Sequence, residues 1–267
     1  MRVSGGDGRL AEARRLHALG VAENNAGRPV RALPLLRRAL EELAVANGPA
    51  VADDRLVARI WISIATSESE LGGLARGQAA LQEAARFVST AREPALQALF
   101  DNQLGFMQVR GGHVSDGLLH LDSAVELIEH VEADLRYSIL LNRGVTHLFR
   151  GDLRNAREDL TWAVTTARHE AKPTEEVKAR HNLGYLEFLA GNLASALQIM
   201  DEVLGIKADV SPAVILLDRS RVLIEAGLHR DADDALREAG ELFRAQRLFK
   251  DVGEVELARA ECALLDG

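Results

Sequence analysis

The sequence contains a single cysteine, Cys262, so no disulfide can form within the chain and the compartment it suits is a reducing one. Aromatic residues make up only 4% of the 267 positions and β-branched residues dominate no stretch, which argues against a strand-rich fold. Long apolar runs are missing: Ala213 to Leu217 is among the longest, and Asp218 ends it well short of a bilayer span. The N-terminus, Met1-Arg2-Val3-Ser4-Gly5-Gly6, lacks the apolar core of a signal peptide, so a cytoplasmic protein without membrane attachment is expected. Basic clusters are lacking too. Lysine is scarce (Lys172, Lys178, Lys207 and Lys250), and the arginines are scattered among 40 acids at a net charge of −8, which leaves no footprint for a phosphate backbone and excludes nucleic acid as a direct partner.

What is present is 47% hydrophobic and 27% charged, enough for a substantial core, and it repeats. Glycines between amphipathic stretches stand at Gly27, Gly72, Gly112, Gly151, Gly191, Gly227 and Gly267, spaced by 45, 40, 39, 40, 36 and 40 residues. Gly112-His113-Val114, Gly151-Asp152-Leu153 and Gly191-Asn192-Leu193 show the chemistry expected where one helix stops and the next starts. The unit is therefore helix–turn–helix. Each second helix carries a small, a large and another small or apolar residue at offsets of four and three: Ala32-Leu36-Ala39, Gly77-Leu81-Ala84, Gly117-Leu121-Ala124, Ala156-Leu160-Ala163, Ala196-Met200-Val203 and Ala232-Leu236-Ala239. Those offsets fall on one helical stripe, where small residues admit a neighbouring helix and the large one fills the gap.

In the first helices Leu16-Leu19-Gly20, Trp61-Ile64-Ala65, Leu104-Gly105, Leu140 with Gly144, Leu183-Gly184 and Leu216 with Ser220 occupy the matching stripe. This pattern resembles the tetratricopeptide repeat family from about Leu10 onward. The resemblance implies an all-α, right-handed α-solenoid of helix-turn-helix repeats, about six pairs plus a final helix, with residues 1–9 as a mobile segment and 10–267 as one superhelical domain. Two features depart from the family. Glu23, Glu68, Gln108, His147, Glu187 and Leu223 stand where an aromatic is usual in the first helix, and the period exceeds the family's roughly 34 residues.

The expected pairs run from Leu10 to Asn47, Ala52 to Ala91, Ala95 to His130, Ala133 to Ala171, Thr174 to Ile206 and Ser211 to Gln246, with breaks near Pro49, Pro94, Pro173 and Pro212. Pro34 falls inside a second helix and should kink it or mark a later start than Pro29. After Gln246 a seventh first helix begins and the sequence stops at Gly267. Either Leu257, Ala260 and Leu264 pack this helix on the sixth pair as a half-unit cap, or the residues are the front part of a longer polypeptide.

Catalytic signatures are sparse. No phosphate-binding glycine loop follows a strand, the eight histidines form no metal-ligand spacing, and Cys262 lies in an Ala/Leu-rich helix as a small buried residue. Asp231, Asp233 and Asp234 suit a helix N-terminus better than paired acid–base work. No enzyme activity, cofactor or metal is expected.

The face opposite the packing stripe, at about 100° per residue, reads Leu99, Gln103, Phe106 and Arg110, then Ser138, Asn142, Val145 and Phe149, then Lys178, Asn182, Tyr185 and Leu189. Amides beside bulky apolar residues suit a peptide, whose backbone donates and accepts while its side chains take pockets. The resemblance implies the same, since the family's first-helix face holds peptides and asparagines at the Asn142 and Asn182 positions contact their main chain. Bridging of successive helices by these amides is the competing role. Asp218, Arg221, Glu225 and Glu261 make a charged wall in the last units, suited to ion-pair selectivity.

The reading is a non-enzymatic scaffold that binds a peptide segment or partner domain, including a downstream domain of the same protein. Residues Leu217 to Leu228 resemble the repeat arrays that precede caspase-like CHAT peptidase domains in GC-rich bacteria; the peptidase residues themselves are not in this chain. The alternative is the ligand- or peptide-sensing module of a bacterial transcription regulator. A helical enzyme with an unrecognised site is a third class, without a convergent acid, base or nucleophile set to support it.

Overall fold

The computed structural model describes residues 5–47, 53–208, 210–246 and 248–265, which among them form thirteen α-helices, one 3-10 turn and no strand. Contacts divide the chain into two compact units, Met1–Asn142 and Arg143–Gly267. The first holds α1 (Gly5–Asn25), α2 (Pro29–Asn47), α3 (Asp54–Gly72), α4 (Leu74–Ala91), α5 (Pro94–Arg110), α6 (Val114–Glu126), the 3-10 turn Ile128–His130 and the opening of α7 (Ala133–Phe149). The second holds the rest of α7 and then α8 (Leu153–His169), α9 (Pro173–Leu189), α10 (Leu193–Leu204), α11 (Ala213–Glu225), α12 (His229–Ala245) and α13 (Phe249–Leu265). The chain is thus an all-α solenoid of helical repeats, each a pair of antiparallel neighbours.

The helix pairs match the expected ranges to within a few residues, but α1 begins at Gly5, ahead of Leu10. Residues 1–4 and the break at Pro49 lie outside the described residues. Pro34 does not delay α2, which starts at Pro29 and runs on to Asn47. Pro29 sits at the first helical position, where the missing N–H has no partner to lose. Pro34 forfeits one internal bond, but it is exposed, and the burial of Ala32, Leu36, Ala39 and Leu43 to 2% exposure or less holds the helix around it.

Five of the hairpins turn through three residues with glycine in the middle: Gly27, Gly112, Gly151, Gly191 and Gly227 have φ between +67° and +84°. In the second hairpin the left-handed residue is Gly73, at φ +84°, and not Gly72, which ends α3. The residue after the turn glycine donates its N–H back to the carbonyl five positions earlier, as in Arg28 to Glu23, Asp152 to His147 and Asn192 to Glu187, each at 2.9 Å. Side chains at the same positions reinforce two of these turns: Arg28 pairs with Glu23 at 2.6 Å, and Asn192 Nδ2 donates to Glu187 at 2.8 Å. At Glu23 and Glu187 the side chain that stands where the resembled family has an aromatic therefore ties the helix end to its turn.

The small–large–small stripes form the seam within each hairpin, and all six central large residues are 1% exposed or less. Each meets a small residue of its first helix. A Cβ placed on Gly20 would lie 2.5 Å from Leu36 Cδ2, on Gly144 2.9 Å from Leu160 Cγ, and on Gly184 3.1 Å from Met200 Cγ. Two positions beyond that small residue, Ser67, Met107, Thr146, Leu186 and Val222 are each at most 2% exposed, whereas Ala22 of α1 is exposed; Val255 of the last helix is 1% exposed. Met107 reaches Gly77 of α4 and Val255 reaches Gly240 of α12, so this second position faces the preceding hairpin in both cases.

The last helix departs from expectation. It packs on α12 through Val255 and Cys262, with Val252 and Ala258 partly buried beside them. Leu257 and Leu264 are instead 74% and 84% exposed, and Ala260 is exposed too, so those three do not form the contact that a cap would need. Helical periodicity places Val255 and Cys262 on one side and residues 253, 257, 260 and 264 on the other.

In the seam of α5 and α6 the near neighbour includes backbone: a Cβ on Gly105 would lie 2.8 Å from the Gly117 carbonyl as well as 2.8 Å from Leu121 Cγ. Backbone cannot yield as a side-chain tip does. Gly105→Ala should therefore lower the urea unfolding midpoint, with a packing cost of about 1 to 3 kcal/mol exceeding the ~1 kcal/mol gained in helix propensity; an unchanged or raised midpoint would refute the tight seam.

Candidate interaction surface

In the first unit the face of α5 turned away from its seam carries Leu99, Gln103 and Phe106, all half-buried, and the exposed Arg110. The Arg110 guanidinium lies 5.6 Å from the centre of the Phe106 ring and reaches Glu70 on α3 at 2.5 Å. Asn142 Nδ2 donates to Asn102 Oδ1 of α5 at 3.0 Å, so this amide bridges successive first helices. Two more links of this kind join α1 to α3: His17 Nε2 sits 3.2 Å from Ser63 Oγ, and Ser67 Oγ donates to Asn24 Oδ1 at 2.7 Å.

In the second unit Val145 is half-buried, and Phe149, at the end of α7, is 70% exposed. On α9, Lys178 is exposed, while Asn182 and Tyr185 are half-buried and Leu189 is 44% exposed. Tyr185 packs against Phe188 at 5.8 Å between ring centres, and Asn182 Nδ2 donates to the Lys178 carbonyl of its own helix at 2.8 Å. Arg221 pairs with Asp218 on α11 and with Glu254 on α13, and His181 of α9 lies 3.0 Å from the same Asp218. An ion-pair line therefore crosses α9, α11 and α13, with Asp218 nearly buried within it.

Sequence reasoning named Asn142, Asp218 and Arg221 but missed Asn102, His181, His17 and Ser63, which are their partners or counterparts. Counting from the small seam residue, His17, Asn102 and His181 stand three positions before it, and Ser63, Asn142 and Asp218 two before it in the following repeat. That register was the signal available. Each pair links two first helices through polar atoms at 3.0 to 3.2 Å.

Charged groups at two clefts are held by ion pairs within the fold. A cleft of about 590 Å³ in the first unit is lined by Trp61, Ile64 and Glu68, and Glu68 is held by Arg37 at 2.6 Å. In the second unit a cleft of about 730 Å³ lies between α12 and α13, where Arg259 holds Asp233 at 2.7 Å. Cys262 lines it, and burial together with the charges of Asp233 and Glu261 pushes its thiol up, away from the reactive thiolate. Arg157, aided by Asn192, holds the Glu187 carboxyl below its ordinary range. Among the described residues no cluster of three metal-ligating side chains occurs, and no helix is long and apolar enough to cross a membrane.

Neither a protein-family profile nor a curated protein matches the sequence. Solved structures do match in fold. The signal transduction ATPase with numerous domains PH0952 from Pyrococcus horikoshii, which has a tetratricopeptide repeat sensor, superposes with a TM-score of 0.64 at 14% identity over 94% of this chain and 43% of that one. The Rap conjugation gene regulator of plasmid pLS20, solved with the Phr* peptide, gives 0.65 at 15% identity over 94% of this chain and 78% of the other. PilW, a type IV pilus biogenesis factor, gives 0.60 at 17% identity, with 91% of this chain and 97% of PilW covered. The class defined is that of all-α solenoids of helical repeats, and at these identities the likeness to tetratricopeptide repeat proteins is one of fold.

The lateral pair of α1 and α3 has a pH signature. Burial, with the Arg59 charge nearby, pushes the His17 imidazole below its ordinary 6.5. The unfolded chain therefore binds this proton more readily, so the contribution of neutral His17 is complete above about pH 6.5 and fades as pH falls through that value. Glu187, with a lowered carboxyl pKa, loses its contribution only in the more acid range below 4.5. The thermal midpoint should fall between pH 7.5 and 5.5, and His17→Gln should flatten that part of the profile; a variant profile parallel to the parent's would remove His17 as the cause.

Proposed function

We propose that this chain is a non-enzymatic scaffold that binds a peptide segment of a partner protein on the outward face of its first helices. The observation that carries the reading is the state of that face. In each unit, bulky apolar groups remain open to solvent next to amide and basic side chains: Gln103, Phe106 and Arg110 in the first, Val145, Phe149, Lys178, Asn182 and Tyr185 in the second. Apolar side chains take up those of a peptide while amides and cations meet its backbone and acids, so the mixture fits an extended or helical segment. Fold likeness to a Rap regulator solved with a peptide is in keeping with this.

Within the face the roles divide. Asn142, bonded to Asn102, serves the framework, and Arg221, set between Asp218 and Glu254, selects by charge. Gln103 and Phe106 in the first unit, and Tyr185 in the second, are the residues offered to a ligand. The partner is a separate protein in the cytoplasm or a downstream domain of the same polypeptide, the latter by the resemblance of residues 217–228 to arrays preceding CHAT domains. The second reading, a sensor module of a regulator, is favoured by the likeness to PH0952, in which such repeats form the sensor. Both use the same face and differ in what binding controls.

Selection of a displayed random-peptide library on the immobilised chain tests the scaffold reading. Each selected peptide should be weakened by about tenfold or more by Gln103→Ala, on the first unit, or by Tyr185→Ala, on the second, with helical circular dichroism unchanged. Selected peptides whose affinity survives both substitutions would place recognition elsewhere.

A further inference from the structure

The cleft of about 590 Å³ in the first unit is open because of what α4 lacks. Trp61 and Ile64 of α3 form its floor, and Ala79 and Ala80 of α4 form one wall. In the next hairpin, counted from the seam, Asp101 stands at the Trp61 position, Leu119 at that of Ala79 and His120 at that of Ala80. There the fold fills the space itself: His120 Nδ1 lies 3.3 Å from Asp101 Oδ1, and Gln97 donates to the same carboxylate at 2.8 Å. Two alanines beside an indole leave the equivalent space over α3 empty of side chains. The polar groups left uncommitted in it are donors. Among the described residues neither the Trp61 indole N–H nor the Arg76 guanidinium makes a hydrogen bond. Arg76 stands 4.0 Å from Glu68, whose other oxygen is taken by Arg37 of α2 at 2.6 Å. The Arg76 stem lies across Gly72, in the place a side chain there would occupy, which lets the guanidinium reach the cleft.

We propose that this cleft binds a small aromatic monocarboxylate, with its ring against Trp61 and Ile64 and its carboxylate on the Arg76 guanidinium. The volume is that of a small-molecule site, and an apolar floor with one convergent charged group is the composition such sites have. An aromatic ring packs on an indole with more than its area alone supplies, and a guanidinium matches a carboxylate in two parallel hydrogen bonds. Charge limits the ligand to a single negative group. Glu68 and Glu83 line the same cleft and repel a second one, and Arg37 is already held by Glu68. The site is separate from the face that takes a peptide: it lies where α3 meets α4 and needs neither Gln103 nor Tyr185.

Isothermal titration calorimetry of the full chain with 2-naphthoate should show saturable binding, with a Kd on the order of 10 to 100 μM. Arg76→Gln removes the charge from an exposed side chain that holds no hydrogen bond, and Ala79→Leu places at an exposed position the side chain that α6 carries as Leu119, so both variants keep the parent's fold. Each should weaken binding by about tenfold or more, as should exchange of the probe for the neutral 2-naphthamide. Trp61→Leu, which installs the residue found at this place as Leu16, Leu140 and Leu216, should weaken it similarly while helical circular dichroism stays unchanged. Absence of binding at about 1 mM 2-naphthoate, equal affinity for acid and amide, or equal affinity for the parent and both α4 variants would overturn the proposal. So would tighter binding of 2-naphthyl phosphate than of 2-naphthoate, because the cleft would then favour a second charge. Loss of binding in Gln103→Ala or Tyr185→Ala but not in Ala79→Leu would place the probe on the first-helix face and refute the site.

Discussion

A small residue on one helix receiving a large apolar residue from the next is the contact on which the rest of this structure depends. Glycine, alanine or, in the sixth hairpin, Ser220 brings two backbones close enough for Leu36, Leu81, Leu121, Leu160, Met200 and Leu236 to vanish from solvent between them. The gain is the burial of one Leu-sized side chain per hairpin, about 1.5 to 3 kcal/mol each, together with the dispersion contacts of a close-packed seam. A larger side chain at Gly105 would push apart two backbones, because its neighbour there is the Gly117 carbonyl. Glycine in a helix interior is costly in propensity, and the seam is what offsets that cost.

Once the seam is fixed, the turn and the lateral contacts have few choices left. Helices in close approach must reverse within three residues, and a left-handed glycine in the middle does so without steric penalty. The first helices then present the positions just before the seam residue to one another. Polar pairs fill that place in His17–Ser63, Asn102–Asn142 and His181–Asp218; the first two are directional hydrogen bonds, which specify register between repeats better than apolar packing does.

The seam was legible in the sequence because its spacing of four and three recurs six times, and helix boundaries followed from the glycines and prolines. What was not legible depended on local competition between neighbours. Gly72 and Gly73 are both able to turn the chain, and only the backbone shows that Gly73 takes the left-handed conformation. Pro34 reads as a helix breaker by propensity, yet burial of the stripe around it outweighs one lost hydrogen bond. For α13, Leu257, Ala260 and Leu264 are as apolar as Val255 and Cys262, and either set alone makes a helical stripe. The choice between them comes from what α12 offers, which is a close approach at Gly240 to Val255. On the interaction face, residue types were readable but their commitments were not: Asn142 and Asn182 look equivalent in sequence, but one amide bonds to a neighbouring helix and the other to its own backbone.

The same constraint separates stability from recognition along the repeat. The seam residue and the one two positions later are confined to small or tightly packed side chains, whereas the position just after the seam residue runs Val21, Thr66, Phe106, Val145, Tyr185, Arg221 and Glu254. None of these seven is fully buried, and their character passes from apolar and aromatic to charged. Within the second unit the row passes from the apolar Val145 and the aromatic Tyr185 to an ion-pair line set by Asp218, Arg221 and Glu254. Charged groups at one end of a row discriminate among ligands and fix their direction, and apolar groups along it supply affinity. Neither seam nor turn constrains this position, which is why its side chains change from repeat to repeat while the seam residue stays small.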